Sequence, residues 1–170
     1  MKKLFYAGPS LEALHERYAK QGRIDHDAPV TSVSEIRIEA SVERVWDVLA
    51  DIASWERIRP GYRLLHLEGG VAVDARFGWA IGPTRIAGRF AVVDPGRELT
   101  WTGVAMGVKA IDQNLLTPLP DGTTLYRLEE SMAAPLVGLF FRTDRLRNQH
   151  DQFLAAVKTE AERVIAHSLK

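Results

Sequence analysis

Turn-forming residues recur at short, fairly regular intervals beyond Pro60-Gly61: Gly69-Gly70, Gly82-Pro83, Asp94-Pro95-Gly96, Gly107 and Pro120-Asp121-Gly122. Glycine accepts positive φ and proline fixes its own, so each group stops the element before it. The segments between the stops have strand length, and strands joined by short turns run antiparallel. Strands are expected at residues 62–68, 74–81, 84–93, 98–105, 108–117 and 123–132. Upstream, in residues 33–39, Ile36 and Ile38 alternate with Glu35, Arg37 and Glu39, the two-residue period of a half-buried strand. The whole reads as a seven-stranded antiparallel meander.

Such a sheet must cover one apolar face, and the final segment supplies the cover. From about residue 144 to 168, Leu146, His150, Phe153, Val157, Ala161 and Val164 recur every three or four residues, one side of a helix about seven turns long. Two short helical segments are expected between the first two strands. Ser41 caps the first, Val42, Val45, Trp46 and Leu49 share its face, and Glu43 sits in the first turn where the helix dipole favours it. The pattern continues through Ile52 and Trp55 until Pro60-Gly61. Near the start, Leu11, Leu14 and Tyr18 fall at helical spacing behind a capping Ser10, followed by a polar connector at residues 22–29. The class is α+β. Residues 1–32 form a helical extension and connector, and residues 33–170 the main domain, which fits one domain of ordinary size.

Alternation assigns the inner face. Ala75, Phe77, Trp79 and Ile81 point one way on their strand; Ile86, Gly88, Phe90 and Val92 on the next; then Leu99 and Trp101, and finally Tyr126, Leu128, Glu130 and Met132. Gly78, Gly88 and Gly103 lie inside strands, where glycine weakens pairing unless it permits a bulge or bend, and they are read as points of curvature.

Several functions are disfavoured. Lys plus Arg equals Asp plus Glu at 22 each, so no global positive field draws a phosphate backbone, and nucleic acid is not an expected partner. The chain has no cysteine, hence no disulfide framework, thiolate metal site or cysteine nucleophile. Met1-Lys2-Lys3 is followed by too short an apolar stretch for a signal peptide, and cytoplasm is the expected location. The longest apolar run, residues 132–141, holds Pro135 and Gly138 and falls short of the ~20 residues a membrane helix needs. No nucleophile elbow, Walker loop, dinucleotide fingerprint or zinc-protease motif is present. Asp25-His26-Asp27 in the polar connector reads as solvated charge, so no metal and no cofactor are expected.

The stretch from Glu39 to Trp55, a small-residue turn leading into a Val45-Trp46-x-x-Leu49 helix and then a second tryptophan, resembles the START-like superfamily, also called SRPBCC. Weaker echoes from Val93 to Trp101, from Leu116 to Leu125, and in the last helix at Phe153, Lys158 and Glu160 resemble its polyketide cyclase/dehydrase branch. The likeness runs over residues 33–167. It implies the helix-grip fold of the birch-pollen allergen, with a hollow between sheet and helix that different members use for sterols, lipids, quinones, hormones or polyketide intermediates. The family shares no catalytic residue, so fold speaks for a pocket more than for a reaction. The first 32 residues depart from the minimal domain and are a candidate cover for one end of the cavity.

The resulting expectation is binding or transport of a small hydrophobic molecule, lipid, polyketide, quinone or sterol-like. The alternative is a cyclase, aromatase or dehydratase that positions a reactive chain in the same cavity. A third reading is a closed pocket with an interacting surface. Candidate ligand-binding residues are Phe77, Trp79, Phe90, Trp101, Tyr126, Glu130, His150 and Phe153. Of these, His150, Glu130 and Tyr126 are the candidate catalytic group; His150 lies on the buried stripe of the last helix. Each has a plainer explanation: a histidine bonded to a strand, a paired glutamate, aromatics that are core. Trp46 and Trp55 read as packing. Arg142, Arg145 and Arg147 beside Leu139, Phe140 and Phe141 are either a solvated helix face or a mouth that meets a lipid surface or an anionic tail. Oligomeric state is not legible.

Overall fold

The computed structural model describes residues 4–163. Seven strands, β1 (Val30–Ile38), β2 (Tyr62–Leu67), β3 (Arg76–Ile81), β4 (Thr84–Asp94), β5 (Glu98–Ala105), β6 (Val108–Pro118) and β7 (Thr124–Ala133), form one sheet. Its order is β1-β7-β6-β5-β4-β3-β2, every neighbouring pair antiparallel. Only the β1–β7 pair joins distant parts of the chain; the rest is the expected meander. The first strand starts three residues earlier than its alternation indicated, because Val30, Thr31 and Ser32 already pair with Met132, Ser131 and Glu130.

Helix α1 (Leu11–Ala13) runs on as a wider turn at Leu14–Tyr18 and a tight one at Ala19–Gln21; Ser10 Oγ accepts from the Ala13 amide at 3.1 Å. The wide turn lets two consecutive residues, Leu14 and His15, both face inward, which regular helical spacing does not allow. Helix α2 (Val42–Ala50), capped by Ser41, and a tight turn at Ile52–Arg57 fill the β1–β2 connection. A short α3 (Val137–Phe140) precedes the long α4 (Thr143–Arg163), which lies along the concave side of the sheet beside β1, β7 and α2. Val164 and the expected end of this helix near residue 168 fall outside the described residues.

The main core lies between the concave face and α2 and α4: Trp55, Phe77, Phe90, Leu99, Trp101, Tyr126, Leu128, Phe153, Leu154 and Val157 are all buried there. Phe77 stacks on Phe90 and Trp79 at centroid distances of 4.2 and 4.9 Å, while Trp101 meets Phe77, Trp79 and Phe90 edge-on. Gly88 makes room for this stack, since a Cβ there would sit 2.7 Å from Trp79 and 2.8 Å from Phe77 ring carbons.

Two assignments from alternation change. Pairing slips by one residue between Phe90 and Val92, a bulge that swaps the faces beyond it, so Val93 and not Val92 joins the inner core while Ala91 faces out. A second slip lies between Leu64 and His66, so the register shifts lie beside the strand glycines and not on them. The helical part of the extension does not cover an end of the cavity: Leu14, Ala19 and Ile24 pack with Ala91 and Ile111 on the convex face. Nor is Asp25 solvated charge. It is buried, its carboxylate accepts from the Tyr6 hydroxyl at 3.1 Å and the Asp27 amide at 3.1 Å, and its own amide donates to Ser131 Oγ. Burial together with the Asp25 charge pushes the Tyr6 phenol up to about 12.

Candidate functional site

Strand register orders the concave face into layers. Trp101, Asp112 and Glu130 stand side by side on β5, β6 and β7; one step towards the β5–β6 turn come Gly103, Ala110 and Met132, and one further step Ala105 and Val108. Inner-facing side chains at the last two levels are small or flexible, so the sheet and α4 do not close on each other there. A cavity of about 450 Å³ results, walled by Trp79, Ile81, Ile86, Val104, Val108, Met132 and Leu146 and floored by Trp101, Asp112, Glu130 and His150, with Arg59 at the side. That volume lies within the ~300–1,000 Å³ typical of small-molecule sites.

The sequence candidates divide between these levels. Trp79, Trp101, Glu130 and His150 line the cavity, whereas Phe77, Phe90, Tyr126 and Phe153 lie beneath it as core. Phe153 packs edge-on against Trp55 at 5.0 Å and carries the Arg59 guanidinium over its ring at 5.3 Å. Tyr126 supports the floor from below. Its hydroxyl donates to Asn114 Oδ1 at 2.5 Å, and Asn114 Nδ2 donates to Asp112 Oδ1 at 2.7 Å and to the Leu99 carbonyl at 3.0 Å. Burial holds the Tyr126 phenol well above its ordinary range, so it remains a donor.

Asp112 is a candidate functional residue that sequence reading missed. Burial, reinforced by the charge of Glu130, pushes its carboxyl up to about 7 against the opposing pull of His150, Arg59 and the Asn114 hydrogen bond. Beside it His150 Nε2 and Glu130 Oε2 share a hydrogen bond of 2.8 Å. Burial acts to lower the histidine pKa, but the hydrogen bond to Glu130 and the charges of Glu130 and Asp112 outweigh it, and the net effect is a raised pKa. The floor thus holds a carboxyl that titrates at about 7 and a histidine whose pKa is raised, next to a cation, under a hydrocarbon vault. Such groups can hydrogen-bond a guest oxygen or exchange a proton with it. Asp112 had a signal: Val108, Ala110, Asp112, Asn114 and Leu116 share one face, and a carboxylate on an otherwise uncharged stripe marks an inward charge.

Two other features lie apart. An open groove of about 840 Å³ between α2 and the β4–β5 turn, lined by Val42, Trp46, Gly96 and Leu116 among others, is larger but sits at the opposite end of β6. On the convex face His15, Glu16 and Asp74 approach within 4.8 Å of one another. The positive charge there comes from the protein itself, as Lys20 Nζ lies 2.9 Å from both carboxylates and Arg89 2.7 Å from Asp74. Hydrogen bonds from Lys20 and His15, with the Arg89 charge, hold the Asp74 carboxyl down at about 2.

Solved structures share this architecture. A hypothetical protein from Helicobacter pylori superposes with a TM-score of 0.73 at 12% identity, over 80% of this chain and 90% of its own. An aromatase/cyclase from Streptomyces gives 0.57 at 22% identity, over 79% and 94%. The Aha1 dimer protein of Colwellia psychrerythraea gives 0.60 at 15%, over 78% and 96%. At these identities the likeness establishes the fold, and the differing names attached to it assign no reaction. Among curated proteins no sequence matches. The profile of the family described as polyketide cyclase/dehydrase and lipid transport, however, matches residues 29–162, and the chain belongs to that family.

Proposed function

We propose that the protein binds and carries a small, mainly hydrophobic molecule whose polar end, a ketone, phenol or quinone oxygen, rests on the Asp112, Glu130 and His150 floor. One observation carries this reading: the cavity is apolar along its walls, its carboxyls and histidine gather at the inner end with Arg59 beside them, and Arg145 stands at the mouth. Hydrocarbon gains by leaving water, while a lone oxygen entering the same space needs a partner, and the floor offers one. With it goes a division into an extension, residues 1–32, and a ligand-binding domain, residues 33–170.

The test is displacement of an apolar fluorophore by candidate metabolites, with native mass spectrometry of protein from its own host to identify a co-purifying guest. Replacing His150 with Ala is expected to weaken an oxygen-bearing ligand and leave a plain hydrocarbon probe unaffected. Equal loss of both would dismiss the polar-end assignment.

A second reading has its own support. A carboxyl that titrates near pH 7 beside a histidine suits proton transfer in a cyclisation, to which the Streptomyces neighbour's name refers, or in a dehydration, to which the family's description refers. Turnover of a poly-ketone thioester by wild type, lost in Asp112→Asn with binding retained, would favour the enzyme over the carrier.

A further inference from the structure

We propose that the cavity mouth docks on an anionic lipid bilayer. Three rim segments bound the mouth: the β3–β4 turn with Ile81 and Pro83, the β5–β6 turn with Ala105 and Val108, and the start of α4 with Phe141 and Arg145. Large hydrophobic side chains project into solvent from the same end: Met106 is 90% exposed, Phe140 77%, Leu139 61% and Phe5 69%. Phe5 belongs there because its neighbour Leu4 accepts from the Leu136 amide at 2.7 Å. These are four of the seven exposed large hydrophobics among the described residues, which is clustering and not scatter.

The rim also concentrates positive charge. Residues 81–86, 104–109 and 136–147 hold Arg85, Lys109, Arg142, Arg145 and Arg147 against one carboxylate, Asp144, in a chain that is neutral as a whole. All four arginines are exposed; Asp144 pairs with Arg142 at 3.2 Å, Arg145 lies over the Phe141 ring, and Lys109 is turned to the Gly8 and Pro9 carbonyls. That leaves Arg85, Arg145 and Arg147 without a carboxylate among the ion pairs of the described residues.

Met106 is the most telling residue. It occupies the first position of a two-residue hairpin turn at φ 50°, where asparagine or glycine is favoured, and it touches no core. Folding gains nothing from methionine there, so its reason lies outside the fold. Hydrocarbon tips ringed by arginines match a headgroup layer, in which the tips reach the acyl boundary and the guanidinium groups meet phosphates. No described helix is long and apolar enough to cross a membrane, so the contact is shallow. A guest could then pass between acyl chains and cavity without crossing water, although docking itself is independent of what fills the cavity.

The test is co-sedimentation of the full chain with vesicles of equal parts phosphatidylcholine and phosphatidylglycerol, against phosphatidylcholine alone. Binding is expected only to the anionic vesicles, falling with added salt. Met106→Asn together with Phe140→Asn, or Arg145→Gln with Arg147→Gln, is expected to weaken it about tenfold. Met106→Asn also relieves the left-handed strain, so its melting temperature should not fall, which separates lost docking from lost folding. Val33→Asn, at an exposed site on β1, is expected to bind as wild type. No binding to anionic vesicles, or binding unchanged by both double variants, overturns the proposal, as does capture of an acidic protein partner by the same arginines without vesicle binding. Fluorophore displacement reads the cavity alone, so failure here leaves the ligand-binding reading standing.

Discussion

Asp112 and His150 both carry folded-state pKa values above their ordinary ones, which fixes the sign of their effect on stability. For Asp112 the ordinary value is 3.8 and the folded value about 7, so the native state holds the proton more tightly than the unfolded chain. Its contribution is complete below about pH 4 and is lost as pH rises through about 7. His150 acts in the same direction, its share being present below 6.5 and lost as pH rises through its higher folded value. The protein should therefore be more stable at pH 5 than at pH 8 as far as the cavity floor decides. Asp112→Asn keeps an acceptor for Asn114 and cannot ionise. Urea unfolding of this variant should show a flatter pH profile and about 1–3 kcal/mol more stability than wild type at pH 8. A profile parallel to wild type would mean that Asp112 is not the group that titrates. Of this cluster, His150 and Glu130 were legible in the sequence because helix and strand periods both point inward at them. Asp112 was overlooked: the uncharged stripe around it on β6 marks it, but its cost becomes visible only when β6 is seen to be covered on that side. Tyr126 was assigned the right face but not the right depth, because alternation gives direction and not distance.

At the scale of elements, the turn residues made the meander legible: each of the six later strands starts or ends within two residues of the stops that Gly and Pro impose. Bulges were not, because a one-residue slip leaves composition unchanged and shows only in pairing. The strand glycines divide by what their missing side chains would meet. At Gly88 a Cβ would press on the Trp79 and Phe77 rings, which are fixed in a buried stack; at Gly78 the nearest atoms it would meet belong to the ring of His66, an exposed side chain that can turn away. Gly88→Ala is therefore expected to destabilise by roughly 1–3 kcal/mol, the usual effect of overpacking. Gly78→Ala should cost less, about 1 kcal/mol or below, because although Gly78 is itself buried the His66 ring can swing out to make room. Thermal denaturation of the two variants decides it, and equal losses would show that both glycines serve backbone conformation and not side-chain space.

Across the whole molecule the sheet serves two separate tasks, a cavity on its concave face and an anchored extension on its convex face. The extension was legible as a helix, but its destination was not, because Leu14 and Ile24 carry no mark of which apolar surface they will meet. His15 anchors it. Fully enclosed, its ring reaches Thr102 Oγ1 through Nδ1 at 2.9 Å and Asp74 Oδ1 through Nε2 at 2.9 Å, tying the helix to β5 and to the turn before β3. Asp74, held at about 2, contributes stability that is present above 3.8 and lost as pH falls towards 2, so acid should loosen this face while it leaves the floor protonated and intact. His15→Ala leaves Thr102 without its side-chain partner and opens a gap behind the helix, for an expected loss of about 1–3 kcal/mol. Thr102 and Trp101 are adjacent on β5 and point to opposite faces, so the variant also asks whether damage on one side crosses the sheet. Backbone pairing on both sides of β5 fixes the strand independently of either side chain. Fluorophore affinity in the cavity should then stay within about twofold of wild type even as the urea midpoint falls. A parallel loss of affinity would show instead that the extension sets the shape of the cavity through the sheet, and that the two faces form one cooperative unit.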